Sequence, residues 1–150
     1  MSKRLQLNDL AFCNGLSIRK LSRKVTQLYD SALAPTGLRS TQIHILGELY
    51  NRQKSPPTLS ELAEAMILDR SGLGHNLRPL ERDGLVEMRE NVNDRRERHI
   101  VLTDAGKDKL KEAFPLWAKA QEMFNTLYGT EKMQDLREAF QTIAYDQRLV

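Results

Sequence analysis

Cysteine and long apolar runs are what this sequence has least of. Cys13 is the single cysteine among 150 residues, so no disulfide can form within the chain. No segment approaches the roughly 20 apolar residues that a membrane-spanning helix requires. The amino terminus is basic but lacks the apolar core of a signal peptide. We therefore expect a cytoplasmic protein that forms one domain and does not enter a membrane.

Motifs for catalysis and for metal or cofactor binding are missing as well. The sequence contains no glycine-rich phosphate loop, no nucleophile elbow and no His-Glu metal motif. Its histidines, His44, His75 and His99, stand singly, without the short spacing that a zinc site uses. We expect no enzymatic activity, no metal and no cofactor.

Excess positive charge is small overall, because the net charge is only +3. Residues 1–24 hold six Lys or Arg against Asp9 alone, which makes this end a candidate anion-facing surface. From Asp69 to His99, seven arginines are balanced by seven acids. If this segment binds DNA, its affinity must depend on which arginines reach phosphates and not on the net charge of the segment.

Apolar residues recur at helical spacing in the first half of the chain. A long helix is predicted from about Asn8 to Ala34, followed by a second one capped by Ser40. Their predicted buried faces carry Ile18, Leu21, Val25, Leu28 and Ala32 in the first, and Ile43, Leu46, Leu49 and Tyr50 in the second. Thr58 and Glu61 form a capping box that opens a short third helix, and Asp69 can cap a fourth. Two short helices joined by a tight turn indicate a helix-turn-helix.

The fourth helix has two distinct faces. Its apolar face carries Leu73, Leu77 and Leu80. Its hydrogen-bonding face carries Ser71, His75, Arg78 and Arg82. Pro79 is expected to kink or loosen this helix, and Gly84 to end it. Residues 85–90 and 99–103 read as two strands around a charged loop, so the sequence predicts a winged helix.

Two further helices follow the hairpin. The first runs from Thr103 to Tyr128 with apolar steps of three and four, and after Gly129 the last is capped by Thr130 and repeats this spacing. Such a seam packs either against a second subunit or within one chain. The predicted fold is mostly helical, in the order α-α-α-α-β-β-α-α. Residues 38–103 would form a DNA-binding lobe, and residues 8–34 and 104–147 dimerisation helices.

The segment Asp94-Arg-Arg-Glu-Arg-His-Ile-Val-Leu-Thr103 resembles the wing signature of the MarR family of bacterial transcription regulators. The preceding "LSELAEAMILDRSGLGHNLRPLERDGLV" is similar to the helix-turn-helix of that family, and "LAPTGLRSTQIHIL" to its first helix junction. The resemblance implies a homodimeric repressor of a palindromic operator in double-stranded DNA, released by a small phenolic or other ligand or by oxidation. It also assigns DNA contacts to the recognition helix, through Ser71, Gly72, Gly74, His75, Asn76 and Arg78, and to the wing, through Asp94, Arg95 and Arg96.

The signal to which such a regulator responds is less well defined by the sequence. Phe12, Leu16, His44, Tyr50 and Trp117 are candidate walls of a pocket for a small aromatic effector, or plain core residues. Cys13 lies where peroxide-sensing relatives carry a reactive thiol, so redox sensing is an alternative. A third alternative is a winged-helix module that binds protein instead of DNA.

Overall fold

Helices dominate the structure, a computed structural model that describes residues 6–94 and 96–149. The helices are α1 (Asn14–Leu33), α2 (Ser40–Asn51), α3 (Leu59–Met66), α4 (Arg70–Arg82), α5 (Asp104–Tyr128) and α6 (Thr130–Ala144). Short 3-10 segments cover Leu7–Phe12, Ala34–Thr36 and Gln147–Leu149. Strands β1 (Val86–Glu90) and β2 (Arg98–Leu102) pair antiparallel, with Val86 opposite Leu102. The predicted fold class, a helical chain with one hairpin in that order, is confirmed.

The hydrophobic core lies where α2, α3, α4 and the hairpin meet. Its fully buried side chains include Leu33, Ile45, Leu46, Leu49, Leu62, Leu73, Leu80 and Ile100. Ala113 joins this core from α5. Leu73 and Leu80, predicted to face inward from α4, are therefore fixed by packing, and the opposite face of α4 is left to the surface.

Several predicted helix starts are confirmed by their hydrogen bonds. The amide of Glu61 donates to Thr58 Oγ1 at 3.2 Å, and the Glu61 carboxylate accepts from the Thr58 amide at 2.8 Å. Asp69 Oδ1 accepts from the amide of Gly72 at 2.5 Å. The α3–α4 turn between these caps passes through Ile67, whose φ of 49° is left-handed and unusual for a β-branched residue.

Other local predictions were wrong. Ser40 is the first residue of α2 and not its cap, because its amide donates to Asp30 Oδ1 of α1 at 2.7 Å and Arg39 precedes it as the cap. Gly129, not Thr130, occupies the cap position of α6. Tyr50 was predicted to be buried but is 48% exposed at the end of α2. Pro79 lies inside α4, which continues to Arg82, and the kink expected there stays a prediction.

The hairpin is fastened to the helix-turn-helix along one edge. Thr58, just before α3, forms an isolated antiparallel bridge with His99 in β2. Next to it, the amide of Ile100 donates to the carbonyl of Pro57 at 2.9 Å. The segment that leads into α3 therefore extends the two-stranded sheet and sets the position of the wing relative to α3 and α4.

The base of the wing is joined to α5 by a tight junction. The Thr103 hydroxyl donates to the carbonyl of Gly84 at 2.7 Å and accepts from the amide of Gly106 at 3.0 Å, which confirms Thr103 as a helix cap. A Cβ at Gly106 would lie 2.1 Å from the carbonyl oxygen of Leu85 and 2.6 Å from Leu102 Cδ1. Only glycine allows α5 to approach the hairpin this closely.

The terminal helices leave much apolar surface uncovered in a single chain. Every residue from Asn14 to Lys24 in α1 is exposed. Large exposed apolar side chains are Leu7, Leu10, Phe12, Ile18 and Leu21 near the amino terminus, and Met123, Leu127, Phe140, Ile143 and Leu149 near the carboxyl terminus. Across residues 6–94 and 96–149, no helix has the length and apolar character needed to cross a membrane.

Candidate nucleic-acid interface

The outer face of α4 carries the residues predicted to read DNA. Ser71, His75 and Arg78 are exposed, on the side of the helix opposite the buried leucines. Gly72 and Gly74 are half-buried on the flank of this face. The structure therefore presents a row of hydrogen-bonding side chains on one exposed surface of the helix-turn-helix.

Asn76 is placed differently from its neighbours on α4. Its side-chain amide donates to the carbonyl of Gly72 at 2.9 Å, and the residue is half-buried on the side of α4 near Gln42 in α2. To reach a base edge, the Asn76 carboxamide would have to break its hydrogen bond to the Gly72 carbonyl.

The wing tip is organised by short-range hydrogen bonds to Asp94. Its carboxylate accepts from the amide of Arg96 at 2.9 Å, and its carbonyl accepts from the amide of Glu97 at 3.0 Å. Asp94 therefore fixes the backbone of the turn at Arg96. Arg95, the other predicted wing contact, lies outside the described residues.

Between α4 and the wing lies a groove of about 790 Å³. Four arginines line it: Arg70, Arg78, Arg96 and Arg98. We call it the arginine groove. Arg70 and Arg98 were absent from the predicted site, since Arg70 only follows the cap residue of α4 and Arg98 only opens a strand. Their joint placement depends on how the wing packs against the helix-turn-helix.

Ion pairing separates these arginines from the others nearby. Arg82 binds the carboxylate of its neighbour Asp83 at 2.9 Å and holds the pKa of that carboxyl below its ordinary value, while Arg89 pairs with Glu87. For the four groove arginines, no carboxylate of the described residues lies within 4.0 Å of a guanidinium nitrogen.

Three carboxylates, Glu81, Asp94 and Glu97, also line the groove. Two of them hold the wing together. The Asp94 carboxylate accepts a hydrogen bond from the amide of Arg96, and the Glu97 carboxylate accepts one from the side-chain amide of Asn91 at 2.5 Å. The groove thus offers four guanidinium groups with free donors, which is the arrangement that phosphate oxygens require.

A second cavity, of about 630 Å³, lies on the far side of α2, between α2, α3 and α5. His44, Tyr50, Phe114 and Trp117 line it, and we call it the aromatic cavity. The rings of Phe114 and Trp117 lie 5.6 Å apart, centroid to centroid. Removal of solvent by the surrounding protein lowers the pKa of His44.

Three of the five predicted pocket residues, His44, Tyr50 and Trp117, thus meet in the aromatic cavity. Phe12 and Leu16 are not among its lining residues within one chain. Phe12 belongs to the exposed 3-10 segment before α1, and Leu16 to the exposed first half of α1.

Comparison with known proteins decides the family. The MarR family model matches residues 38–97, which span α2, α3, α4, β1 and the loop before β2. The crystal structure of the Mycobacterium tuberculosis transcriptional regulator MosR in complex with DNA is 31% identical, with a TM-score of 0.75, and the match covers 90% of this chain and 98% of MosR. The chain belongs to the MarR family.

Two other relatives extend this comparison. The transcriptional repressor YetL of Bacillus subtilis is 29% identical over 100 residues, which are 67% of this chain and 60% of YetL. CouR of Rhodococcus jostii, in a structure bound to p-coumaroyl-CoA, is 26% identical with a TM-score of 0.75, covering 89% of this chain and 92% of CouR. These relatives are regulators or repressors of transcription, which argues against an enzyme.

Cys13, the predicted redox residue, precedes α1 at its cap position and is exposed. Within residues 6–94 and 96–149, no cluster of three or more His, Cys, Asp or Glu side chains is arranged to hold a metal ion. Redox sensing by Cys13 remains a prediction.

Proposed function

We propose that this MarR-family protein is a repressor that binds a palindromic operator, with α4 in the major groove and the wing in the adjacent minor groove. The observation that carries the proposal is the arginine groove, whose four guanidinium groups lack carboxylate partners although the surrounding segment is neutral overall. A DNA backbone that passes between the major and minor grooves would run along it. Operator binding would place the protein in the cytoplasm.

Specific reading of bases would fall to the exposed face of α4 and to the wing tip. Arg78 can donate two hydrogen bonds to a guanine, and Ser71 and His75 can bond base edges beside it. Arg95 and Arg96 suit a narrow minor groove, where the negative potential is strongest. Each such contact contributes about 1–3 kcal/mol of discrimination.

The decisive test replaces Arg96 by Ala and compares it with Arg89→Ala. Both arginines are on the wing, but Arg89 is paired with Glu87 whereas Arg96 lines the groove. With a duplex enriched by the wild type from a randomised pool, we expect Arg96→Ala to weaken binding by about 5- to 150-fold and Arg89→Ala to have little effect. Equal affinity of a folded Arg96→Ala protein and the wild type would contradict the wing assignment.

Salt dependence separates DNA binding from the alternative of a protein-binding module. Affinity for DNA should fall steeply as salt rises, and Arg70→Ala or Arg98→Ala should each reduce the slope by about one ion. An apolar protein interface would not show this dependence.

We further propose that residues 8–34 and 104–147 form the interface of a homodimer. The support is the set of apolar side chains on α1 and α6 that no described residue covers, since contiguous exposed apolar surface marks sites of protein interaction. A second copy would bury it around a two-fold axis, as a palindromic operator requires. In sedimentation measurements we expect Ile18→Glu to shift the protein toward monomer. Lys20→Glu, on the opposite side of α1, is the control that should stay dimeric.

For the effector, we propose a small aromatic molecule bound in the aromatic cavity. Its flat body would lie against Phe114 and Trp117, with a polar group toward His44 and Tyr50. Trp117 is the only tryptophan in the chain, so its fluorescence reports binding directly. We expect p-coumarate to quench it and to release DNA, both less effectively in His44→Ala. Release without a change in fluorescence would point to another site.

Exposure of Cys13 is the one observation that favours oxidation as a signal instead. Peroxide treatment of the wild type and of Cys13→Ser, followed by DNA binding, distinguishes the two. Equal release of DNA from both proteins would exclude the thiol.

A further inference from the structure

His99 stands at the point where three parts of the DNA-binding lobe meet. Its backbone pairs with Thr58 at the start of α3. Its ring Nδ1 lies 2.8 Å from the carbonyl oxygen of Pro56, and its Nε2 lies 3.4 Å from Oε2 of Glu97 near the wing tip. The ring therefore bridges the loop before α3 and the tip of the wing.

The chemistry of these two partners sets the position of the ring hydrogen. A carbonyl oxygen can only accept a hydrogen bond, so Nδ1 must carry the hydrogen that faces Pro56. In the neutral ring, Nε2 then presents a lone pair to the carboxylate of Glu97, which is repulsive. In the imidazolium, Nε2 carries a second hydrogen and the same contact becomes an ion pair.

Glu97 transmits this contact to the DNA-binding residues. Its carboxylate accepts from the side chain of Asn91, and its carbonyl accepts from the Asn91 amide at 2.9 Å, so Glu97 closes the loop. Inside that closed loop, Asp94 holds the amides of Arg96 and Glu97. An ion pair between His99 and Glu97 therefore braces the turn from which Arg96 projects.

We propose that His99 is the positioning residue of the wing, and that protonation of its ring orders the wing tip and strengthens operator binding. The effect on operator binding rests on the proposed function, whereas the ordering of the wing tip does not. Histidine side chains in general change charge between about pH 5 and 8, which sets the pH values compared in the test.

Other charges around the ring act in the same region. From α3, Glu61 contributes an attractive field at His99, although Arg52, just after α2, lies 3.8 Å from the Glu61 carboxylate and partly neutralises it. From β1, Arg89 lies opposite His99 in the strand register but is paired with Glu87. Glu97 remains the one carboxylate of the described residues within 4.0 Å of the ring.

The binding test is made in a His75→Gln background, so that the histidine on the outer face of α4 does not titrate. A duplex enriched by the wild type from a randomised pool is titrated at pH 6.0 and 8.0 at constant salt. Because an exposed ion pair changes an equilibrium constant by up to about fivefold, we expect binding to be about two- to fivefold tighter at pH 6.0.

Two added substitutions should abolish this ratio. His99→Gln keeps a neutral donor for the Pro56 carbonyl, and Glu97→Gln keeps an acceptor for Asn91, but each removes one charge of the pair. We expect the ratio of the affinities at pH 6.0 and pH 8.0 to fall close to one in both variants, whatever the affinity of each variant at pH 8.0. An unchanged ratio in His99→Gln would overturn the proposal.

A readout without DNA separates this inference from the proposed function. In the free protein, heteronuclear NOE values of the amides of Asn93, Arg96 and Glu97 should rise between pH 8.0 and 6.0 with His99 and stay constant with His99→Gln. Constant values in both proteins would refute the role of His99. A rise in the wild type alone, without binding of any duplex, would retain that role and refute the repressor.

Discussion

Replacement of Gly106 by Ala tests the junction between the wing and α5 most directly. Gly106 is buried in the first turn of α5, and an added Cβ would lie 2.1 Å from the carbonyl oxygen of Leu85. Ordinary carbon–oxygen contacts are about 3.3–3.6 Å, so α5 or the start of β1 must move by about 1 Å. The same methyl would lie 2.6 Å from Leu102 Cδ1, so the Leu102 side chain must shift as well.

The size of the effect follows from two opposing contributions. Alanine favours a helix over glycine by about 1 kcal/mol. Overpacking of a buried site costs about 1–3 kcal/mol and occasionally more, and here the obstacle is backbone, which cannot rotate away. The moved carbonyl also accepts from the amide of Thr103 at 3.2 Å. We expect a net loss of about 2 kcal/mol in the free energy of unfolding.

Urea denaturation at a fixed protein concentration measures this loss, and Gly47→Ala is the matched control. Gly47 is also a helical glycine, but an added Cβ there meets nothing within 4 Å. Gly47→Ala should therefore gain up to about 1 kcal/mol. If Gly106→Ala were as stable as Gly47→Ala, the close approach of α5 to the wing would be refuted.

Three further predictions concern the helix-turn-helix. Thr58→Ala should lower the free energy of unfolding by about 1 kcal/mol in denaturation experiments, because it removes the acceptor for the Glu61 amide; no loss would argue against the capping box. Ile67→Gly should leave this free energy unchanged or raise it by up to about 1 kcal/mol by relieving a φ of 49°, whereas Ile67→Val should not. The hydrogen bond from the Thr58 amide lowers the pKa of Glu61 in the folded protein. Its stabilisation is therefore complete above the ordinary carboxyl pKa and lost as pH falls through the folded value, so the stability gap between wild type and Glu61→Gln should narrow on acidification.

Local signals predicted the elements of this fold well, and tertiary contacts explain the errors. The capping residues Thr58, Asp69 and Thr103 act within three residues of themselves, so the sequence suffices to find them. Ser40 fits the same pattern, but its amide donates to Asp30, ten residues away in α1. Ser40 is therefore the first residue of α2 and not its cap. The need for glycine at position 106 comes from a carbonyl in another element, and no periodicity signals it.

The proposed DNA-binding site shows the same division between local and distant causes. The exposed row on α4 follows from helical periodicity, so Ser71, His75 and Arg78 could be named in advance. The folded structure decides which arginines form ion pairs. Asp83 pairs with Arg82 and Glu87 with Arg89, so these two arginines are less available to phosphate. A segment that is neutral by count consequently carries a groove with four available guanidinium groups. For proteins of this kind, net charge per segment underestimates the capacity to bind phosphate, and the pairing of each arginine is the quantity that decides it.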